Sequence, residues 1–98
     1  MSFTHIVTFK WKLPDQSAKA AAAADALRAF VATLDGVESY LCGSDIGVSP
    51  SSFDFAVVGT FTTKADFESY RDHPQHQRII REHIAPILGD RTVVQLQS

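Results

Sequence analysis

The sequence is poor in features that would tie it to a particular compartment or polymer. Its one cysteine, Cys42, excludes an internal disulfide. Nine Lys and Arg against eleven Asp and Glu leave a formal net charge of −2, which provides no electrostatic basis for binding nucleic acid. No stretch is long and apolar enough to cross a membrane, and the N-terminus lacks the basic and apolar blocks of a secretory signal. We therefore expect a cytoplasmic protein with neither a membrane nor a nucleic-acid partner.

Motifs for the common cofactors are also missing. The chain has no glycine-rich phosphate loop, no nucleophile elbow and no HExxH metal motif. His76 and His83 lie about 10 Å apart along a helix axis, which is too far for two ligands of one metal ion. We expect neither a cofactor nor a metal.

What is present is enough apolar material for one core. Of the 98 residues, 45% are hydrophobic, which argues against disorder and suits one small folded unit. The chain contains no repeat, no linker and no low-complexity tract except a run of alanines, which have high helix propensity. We expect residues 1–98 to form a single domain.

Hydrophobic periodicity predicts four strands and two helical regions. Alternating apolar and polar side chains indicate the strands, and apolar residues repeated every three or four positions indicate the helices. Asp15 and Thr63 are the predicted caps of the two helical regions, and Gly36 is the predicted stop of the first. The predicted strands span residues 3–11, 37–44, 53–61 and 91–97. The helical regions span residues 18–36 and, split at Pro74, residues 63–70 and 74–88.

This β-α-β-β-α-β order predicts an α+β, ferredoxin-like subunit with a four-stranded antiparallel sheet and both helical regions on one face. The opposite sheet face is then expected to be too apolar for contact with water. A second copy would cover it, so we expect a homodimer through the sheet face. The alternative is a monomer with an unusually apolar sheet. The residues predicted on that face are Ile6, Thr8, Tyr40, Ala56 and Val58.

Three residues stand out as a candidate site. His5 interrupts the apolar face of the first strand, while Tyr70 and His76 lie on either side of a predicted helix break. Each has a structural interpretation as well: His5 as a neutral core histidine, Tyr70 as a core aromatic with its hydroxyl at the rim, and His76 as a packed, hydrogen-bonded residue. We interpret His73 as the break and a cap of the following helix, and His83 as a residue of the helix flank.

The stretches that carry these residues resemble the Dabb family, the stress-responsive dimeric α/β-barrel domains. The resemblance extends over nearly the whole chain and implies a ferredoxin-like subunit that pairs its sheet with that of a second copy. Some similar proteins are polyketide cyclases, such as olivetolic acid cyclase. The resemblance to them implies His76 as general base, Tyr70 as an assisting group and His5 in the pocket. This chain departs from those cyclases at "AKAAAAADA" in the first helix. The stretches are "HIVTFKW", "GVESYLCGSDIG" and "FDFAVVGTFTTKADFESYRDHPQHQ".

These residue types suit proton abstraction next to a carbonyl group. A neutral histidine accepts a proton near neutral pH, and a protonated tyrosine donates a hydrogen bond to a forming enolate. Attack of the enolate on a second carbonyl of a small, apolar, β-polyketone-like ligand closes a ring without a cofactor. The alternative is a non-catalytic stress-responsive dimer or a protein that binds a small apolar ligand. The residues expected to line the pocket are Val7, Phe9, Val57, Phe30, Leu27 and Ile80.

Overall fold

Four strands and three α-helices follow the predicted order in the computed structural model, which describes residues 1–98. The elements are β1 (Phe3–Trp11), α1 (Ser17–Val31), β2 (Val37–Ser44), β3 (Phe55–Phe61), α2 (Lys64–Asp72), α3 (Pro74–Ile79), the turns Ile80–Ile84 and Ala85–Ile87, and β4 (Leu88–Gln97). The strands pair antiparallel in the order β2-β3-β1-β4. The first of the two turns is π-helical and the second is a 3-10 turn that contains Pro86.

The core lies between the helices and one face of this sheet. Odd-numbered residues of β1 and β3 point toward the helices, as the alternation predicts, and the side chains of Val7, Phe9, Phe55 and Val57 are buried there. The small side chains on the inner side of α1 allow its backbone to approach the sheet closely. The buried residues of α1 are Ala20, Ala23, Ala24, Leu27, Phe30 and Val31. None of the helices has the length and hydropathy that crossing a membrane requires.

The predicted facing of β2 is wrong. Its register against β3 shifts between Val37 and Ser39, so one extra residue is inserted into the strand. This bulge reverses the alternation that follows it. Tyr40, which we expected on the open sheet face, therefore points toward the helices, whereas Leu41 lies on the open face with 72% of its surface exposed.

The open face carries a continuous apolar row across all four strands. Leu41 of β2 lies opposite Val58 of β3, which lies opposite Ile6 of β1, which in turn lies opposite Val94 of β4. Four of the five residues expected on this face lie on it: Ile6, Thr8, Ala56 and Val58. Leu41 and Val94, which were not predicted there, lie on it as well. The ends of the row are open to solvent, with Leu41 72% and Val94 47% exposed.

Of the three residues predicted at helix ends, Thr63 takes the predicted position, and Asp15 and Gly36 do not. Thr63 caps α2 as expected: its Oγ1 accepts from the backbone N–H of Asp66 at 3.1 Å and donates to Oδ2 of Asp66 at 2.9 Å. Asp15 does not cap α1, because its φ of 63° places it in the preceding turn and Gln16 is the N-cap. The helix also ends before Gly36, which instead turns the chain into β2 with a φ of 79°.

We expect Gly36→Ala to destabilise the protein more than Gly47→Ala. Both glycines have a left-handed backbone, so an added Cβ costs about 1–2 kcal/mol at either position. At Gly47 the Cβ meets open space, but at Gly36 it would lie 2.3 Å from Cγ of Asp66. That carboxylate must then leave Thr63, at a further cost of about 0.5–1.5 kcal/mol. Urea unfolding at one protein concentration measures the free energy of unfolding of both variants. An equal decrease in the two would contradict the clash at Asp66.

Candidate functional site

A small cavity lies between the sheet and the helical segments α1, α2, α3 and the π turn. Its volume is about 170 Å³. Five of the six residues expected to line it do so: Val7, Phe9, Leu27, Val57 and Ile80. Together with Ile84 and Leu88 these form the apolar wall of the cavity. The polar residues that line it are His5, Tyr70, Arg71, His76, Gln77 and Arg91.

Phe30, the sixth expected lining residue, lies behind the cavity instead. Its side chain is fully buried, and its ring contacts the rings of Tyr70, His73 and His76, at centroid distances of 6.1, 4.9 and 6.2 Å. Packing explains this position, because the rings of the three residues around the helix break enclose the ring of Phe30. Phe30 therefore supports the site without lining it.

The helix break brings Tyr70 and His76 together. Residues six apart in one continuous helix would project about 120° apart around its axis. Here α2 ends at Asp72, His73 takes an extended backbone with ψ 133°, and Pro74 starts α3. His73 caps α3 through its Nδ1, which accepts from the N–H of Gln75 at 3.0 Å. The rings of Tyr70 and His76 consequently lie 4.3 Å apart between centroids.

The same break determines which nitrogen of His76 can act as a base. Because the N–H of Gln75 is bonded to His73, the carbonyl of Arg71 is free of its usual helical partner. It accepts instead from Nδ1 of His76 at 3.0 Å and from Nε2 of Gln77 at 2.7 Å. A carbonyl oxygen only accepts, so Nδ1 of His76 carries the proton. In the neutral ring, Nε2 then has the free lone pair.

Burial keeps both cavity histidines in the neutral form. The pKa of His76 is lowered from its ordinary 6.5 by burial, and the bond to the Arg71 carbonyl only partly opposes this. The pKa of His5 is also lowered by burial, although its hydrogen bond from Nδ1 to Oε1 of Gln95, 2.8 Å long, acts in the opposite direction. The positive charge of Arg91 lowers the pKa of His5 further.

Tyr70 is linked to a second tyrosine that sequence reasoning placed on the wrong face. The hydroxyls of Tyr70 and Tyr40 lie 2.8 Å apart, and Tyr70 is only 3% exposed. Burial raises the pKa of Tyr70 to about 12 and that of Tyr40 further, so both phenols stay protonated. Gly59 leaves room for Tyr40 on the helix-covered face. It lies opposite Tyr40 on β3, and a Cβ at this position would lie 3.2 Å from the Tyr40 ring.

Sequence reasoning also missed the polar residues at the edge of the cavity. Arg91 of β4 lies opposite Phe9 and so points to the helix-covered face, which the alternation of β4 could have indicated. Arg71 and Gln77 are brought in by the helix break. His73 and His83 do not line the cavity. No group of three or more His, Cys, Asp and Glu side chains has an arrangement that could hold a metal ion.

A β-α-β-β-α-β subunit with a cavity between its helices and its sheet belongs to the ferredoxin-like α+β class. Residues 3–98 match the sequence model of the Stress responsive A/B Barrel Domain, Dabb, and the chain belongs to this family. The family and the ferredoxin-like fold expected from the sequence are thus confirmed. None of the curated proteins matches the chain by sequence.

Three solved structures illustrate the similarity. A dimeric ferredoxin-like protein of unknown function from Thermobifida fusca YX is 32% identical, with a TM-score of 0.89 over 100% of this chain and 92% of the other. A Dabb family protein from Mesorhizobium loti MAFF303099 is 20% identical, with a TM-score of 0.79 over 99% and 96%. The hydroxynitrile lyase of Passiflora edulis is 18% identical, with a TM-score of 0.79 over 97% and 91%. The last two similarities show the fold alone.

We expect the lowered pKa values of His5 and His76 to make the protein less stable in mild acid. Both have folded-state pKa values below their unfolded value of 6.5, so the unfolded chain takes up protons more readily. Their contribution to stability is complete above about pH 6.5 and is lost as the pH falls toward the folded-state values. The substitution His76→Asn, whose amide can still donate to the Arg71 carbonyl, should flatten this loss.

Two measurements check this expectation. NMR titration should give imidazole midpoints below 6.5 for His5 and His76. Urea unfolding across the same pH range should show a shallower loss in His76→Asn than in wild type, whereas the matched control His83→Asn, outside the cavity, should leave the loss unchanged. A midpoint for His76 at or above 6.5 would contradict the effect of burial.

Proposed function

We propose that this Dabb protein is a cofactor-independent, cyclase-like lyase that acts on a small apolar ligand with two carbonyl groups. His76 is the general base, Tyr70 the hydrogen-bond donor and His5 a second polar group that orients the ligand. The observation that carries the proposal is the bond from Nδ1 of His76 to the Arg71 carbonyl, which leaves Nε2 free to accept a proton. The hydroxynitrile lyase among the structural neighbours is compatible with lyase chemistry on this fold.

The proposed reaction begins with removal of a proton from a carbon next to a carbonyl. Nε2 of His76 takes the proton, and the electron pair of the broken C–H bond becomes an enolate. Tyr70 donates to the enolate oxygen while its own oxygen accepts from Tyr40, an arrangement that their 2.8 Å separation permits. The high pKa of Tyr70 supports this role, because the phenol donates only while it is protonated.

Ring closure uses the same two residues, His76 and Tyr70. The enolate carbon forms a bond to the second carbonyl carbon, and the oxygen of that carbonyl takes the proton back from Nε2 of His76. The product is a cyclic hydroxy ketone with the atoms of the substrate, and nothing is oxidised or reduced. General base catalysis supplies about 10²–10⁴-fold, so positioning by the apolar wall must supply the rest.

We expect purified protein to speed both deuterium uptake and cyclisation of a simple diketone whose carbonyls are separated by three methylene groups. The substitution His76→Asn should lower the rate by about 10²-fold or more, because it removes the base and keeps the bond to Arg71. Tyr70→Phe should lower the rate by roughly 10²-fold through loss of the enolate donor. Proton NMR in D₂O measures both processes.

The control for this experiment is His83→Asn, which should react like wild type. Equal rates for wild type and His76→Asn, with both proteins folded, would refute the base assignment.

One observation favours the non-catalytic alternative. Every buried side-chain nitrogen and oxygen already has a hydrogen-bond partner without any ligand. Residues kept for structure alone would satisfy that condition. If the diketone binds in the cavity but neither exchanges nor cyclises faster, the protein binds small ligands without catalysis. Urea unfolding adds a second criterion. If His76 is kept for structure, His76→Ala should lower the free energy of unfolding by about 1–3 kcal/mol.

We also propose that two copies form a homodimer through the open sheet face. The support is the apolar row Leu41–Val58–Ile6–Val94, together with the dimeric state of the Thermobifida fusca relative. Two such faces packed together would remove the row from water without any new element.

We expect Val58→Glu, in the middle of the row, to convert a dimer into a folded monomer of 10.8 kDa. The substitution would bury two carboxylates in the dimer interface, one from each copy. The matched control Ile46→Glu would not, because Ile46 lies in the loop between β2 and β3 and is 87% exposed. Analytical ultracentrifugation measures the mass, and circular dichroism verifies the fold. A monomeric wild type, or a dimeric Val58→Glu, would contradict the interface.

A further inference from the structure

We infer that the cavity takes a ligand with a carboxylate group, which the guanidinium of Arg91 binds at the cavity edge. This inference rests on the proposed function and narrows its substrate class to apolar keto acids. The observation behind it is an imbalance of charge: two arginines and no acidic residue line the cavity.

Only one of the two arginines is available. Arg71 is held by its neighbour Asp72 in a two-pronged ion pair, with Nε to Oδ1 at 2.8 Å and Nη2 to Oδ2 at 3.0 Å. The remaining ion pair of the protein joins Arg28 to Asp25. Arg91 therefore has no acidic partner, and its guanidinium donates no hydrogen bond to another residue.

The position of Arg91 links its charge to the cavity. It lies on β4, an edge strand, opposite Phe9 of the apolar wall. Arg91 and His5 line the same cavity, and the positive charge of Arg91 lowers the pKa of His5. A ligand whose charged end binds Arg91 would thus lie with its apolar part against the wall, next to His5.

The character of the site favours a carboxylate over other anions. Burial keeps His5 and His76 neutral, so Arg91 supplies one uncompensated positive charge. A carboxylate matches that charge and accepts two parallel hydrogen bonds from one guanidinium. A phosphate carries more charge and more acceptors, and no glycine lines the cavity to offer the close backbone donors that phosphate sites use.

The experiment compares hexanoate with hexanamide, which share an apolar chain and differ in charge. Titration calorimetry with the wild type should give a lower Kd for hexanoate by roughly ten- to hundredfold. Arg91→Gln should remove this preference, and Arg91→Lys should retain part of it, because lysine keeps the charge but not the two-pronged geometry. The matched control Arg81→Gln, an exposed arginine outside the cavity, should leave it unchanged.

Binding in the cavity has its own readout. Hexanoate should shift the imidazole NMR signals of His5 and His76 in the wild type and not in Arg91→Gln. Equal Kd values for acid and amide, a preference that survives Arg91→Gln, or unshifted histidine signals would each overturn the inference. Failure of the diketone reaction leaves these measurements unaffected, so a carboxylate site without catalysis is distinguishable from catalysis without a carboxylate site.

Discussion

The interruption of the helix at His73 and Pro74 is the constraint on which the rest of the candidate site depends. A continuous helix would direct Tyr70 and His76 to different sides, and the Arg71 carbonyl would be bonded to the backbone N–H of Gln75. With the helix interrupted, the two rings lie together, and that carbonyl fixes the protonated nitrogen of His76. One proline and one capping histidine thus define both the shape of the cavity and which nitrogen of His76 is left without a proton.

The surroundings act on this arrangement mainly through desolvation. Burial is the leading influence on the pKa of His5, His76 and Tyr70, and the hydrogen bonds to the two histidines only partly offset it. The outcome is a pair of neutral bases next to a protonated phenol, the set of protonation states that enolate chemistry needs. Phe30 supports the two rings on the side away from the cavity, because its own ring packs against those of Tyr70 and His76.

Local signals in the sequence were reliable where the cause is local. Thr63 caps its helix through Asp66, and Pro74 begins α3, because a cap or a proline acts on its nearest neighbours. The errors have non-local causes. Asp15 and Gly36 have the right residue types for the ends of a helix, but α1 spans Ser17–Val31, and both residues take left-handed backbone in the segments that flank it. Tyr40 was assigned to the wrong face because a bulge in β2 leaves no mark in the alternation of its residues.

The sequence by itself determined the order of strands and helices and the family, and it offered His5, Tyr70 and His76 as candidates, because hydrophobic period and residue type are properties of short segments. Only the tertiary structure decided which groups meet. Tyr40 reaches the hydroxyl of Tyr70, and Arg91 reaches the cavity, through pairing of strands that are far apart in the chain. Such contacts depend on register, and one inserted residue is enough to reverse which face a side chain occupies.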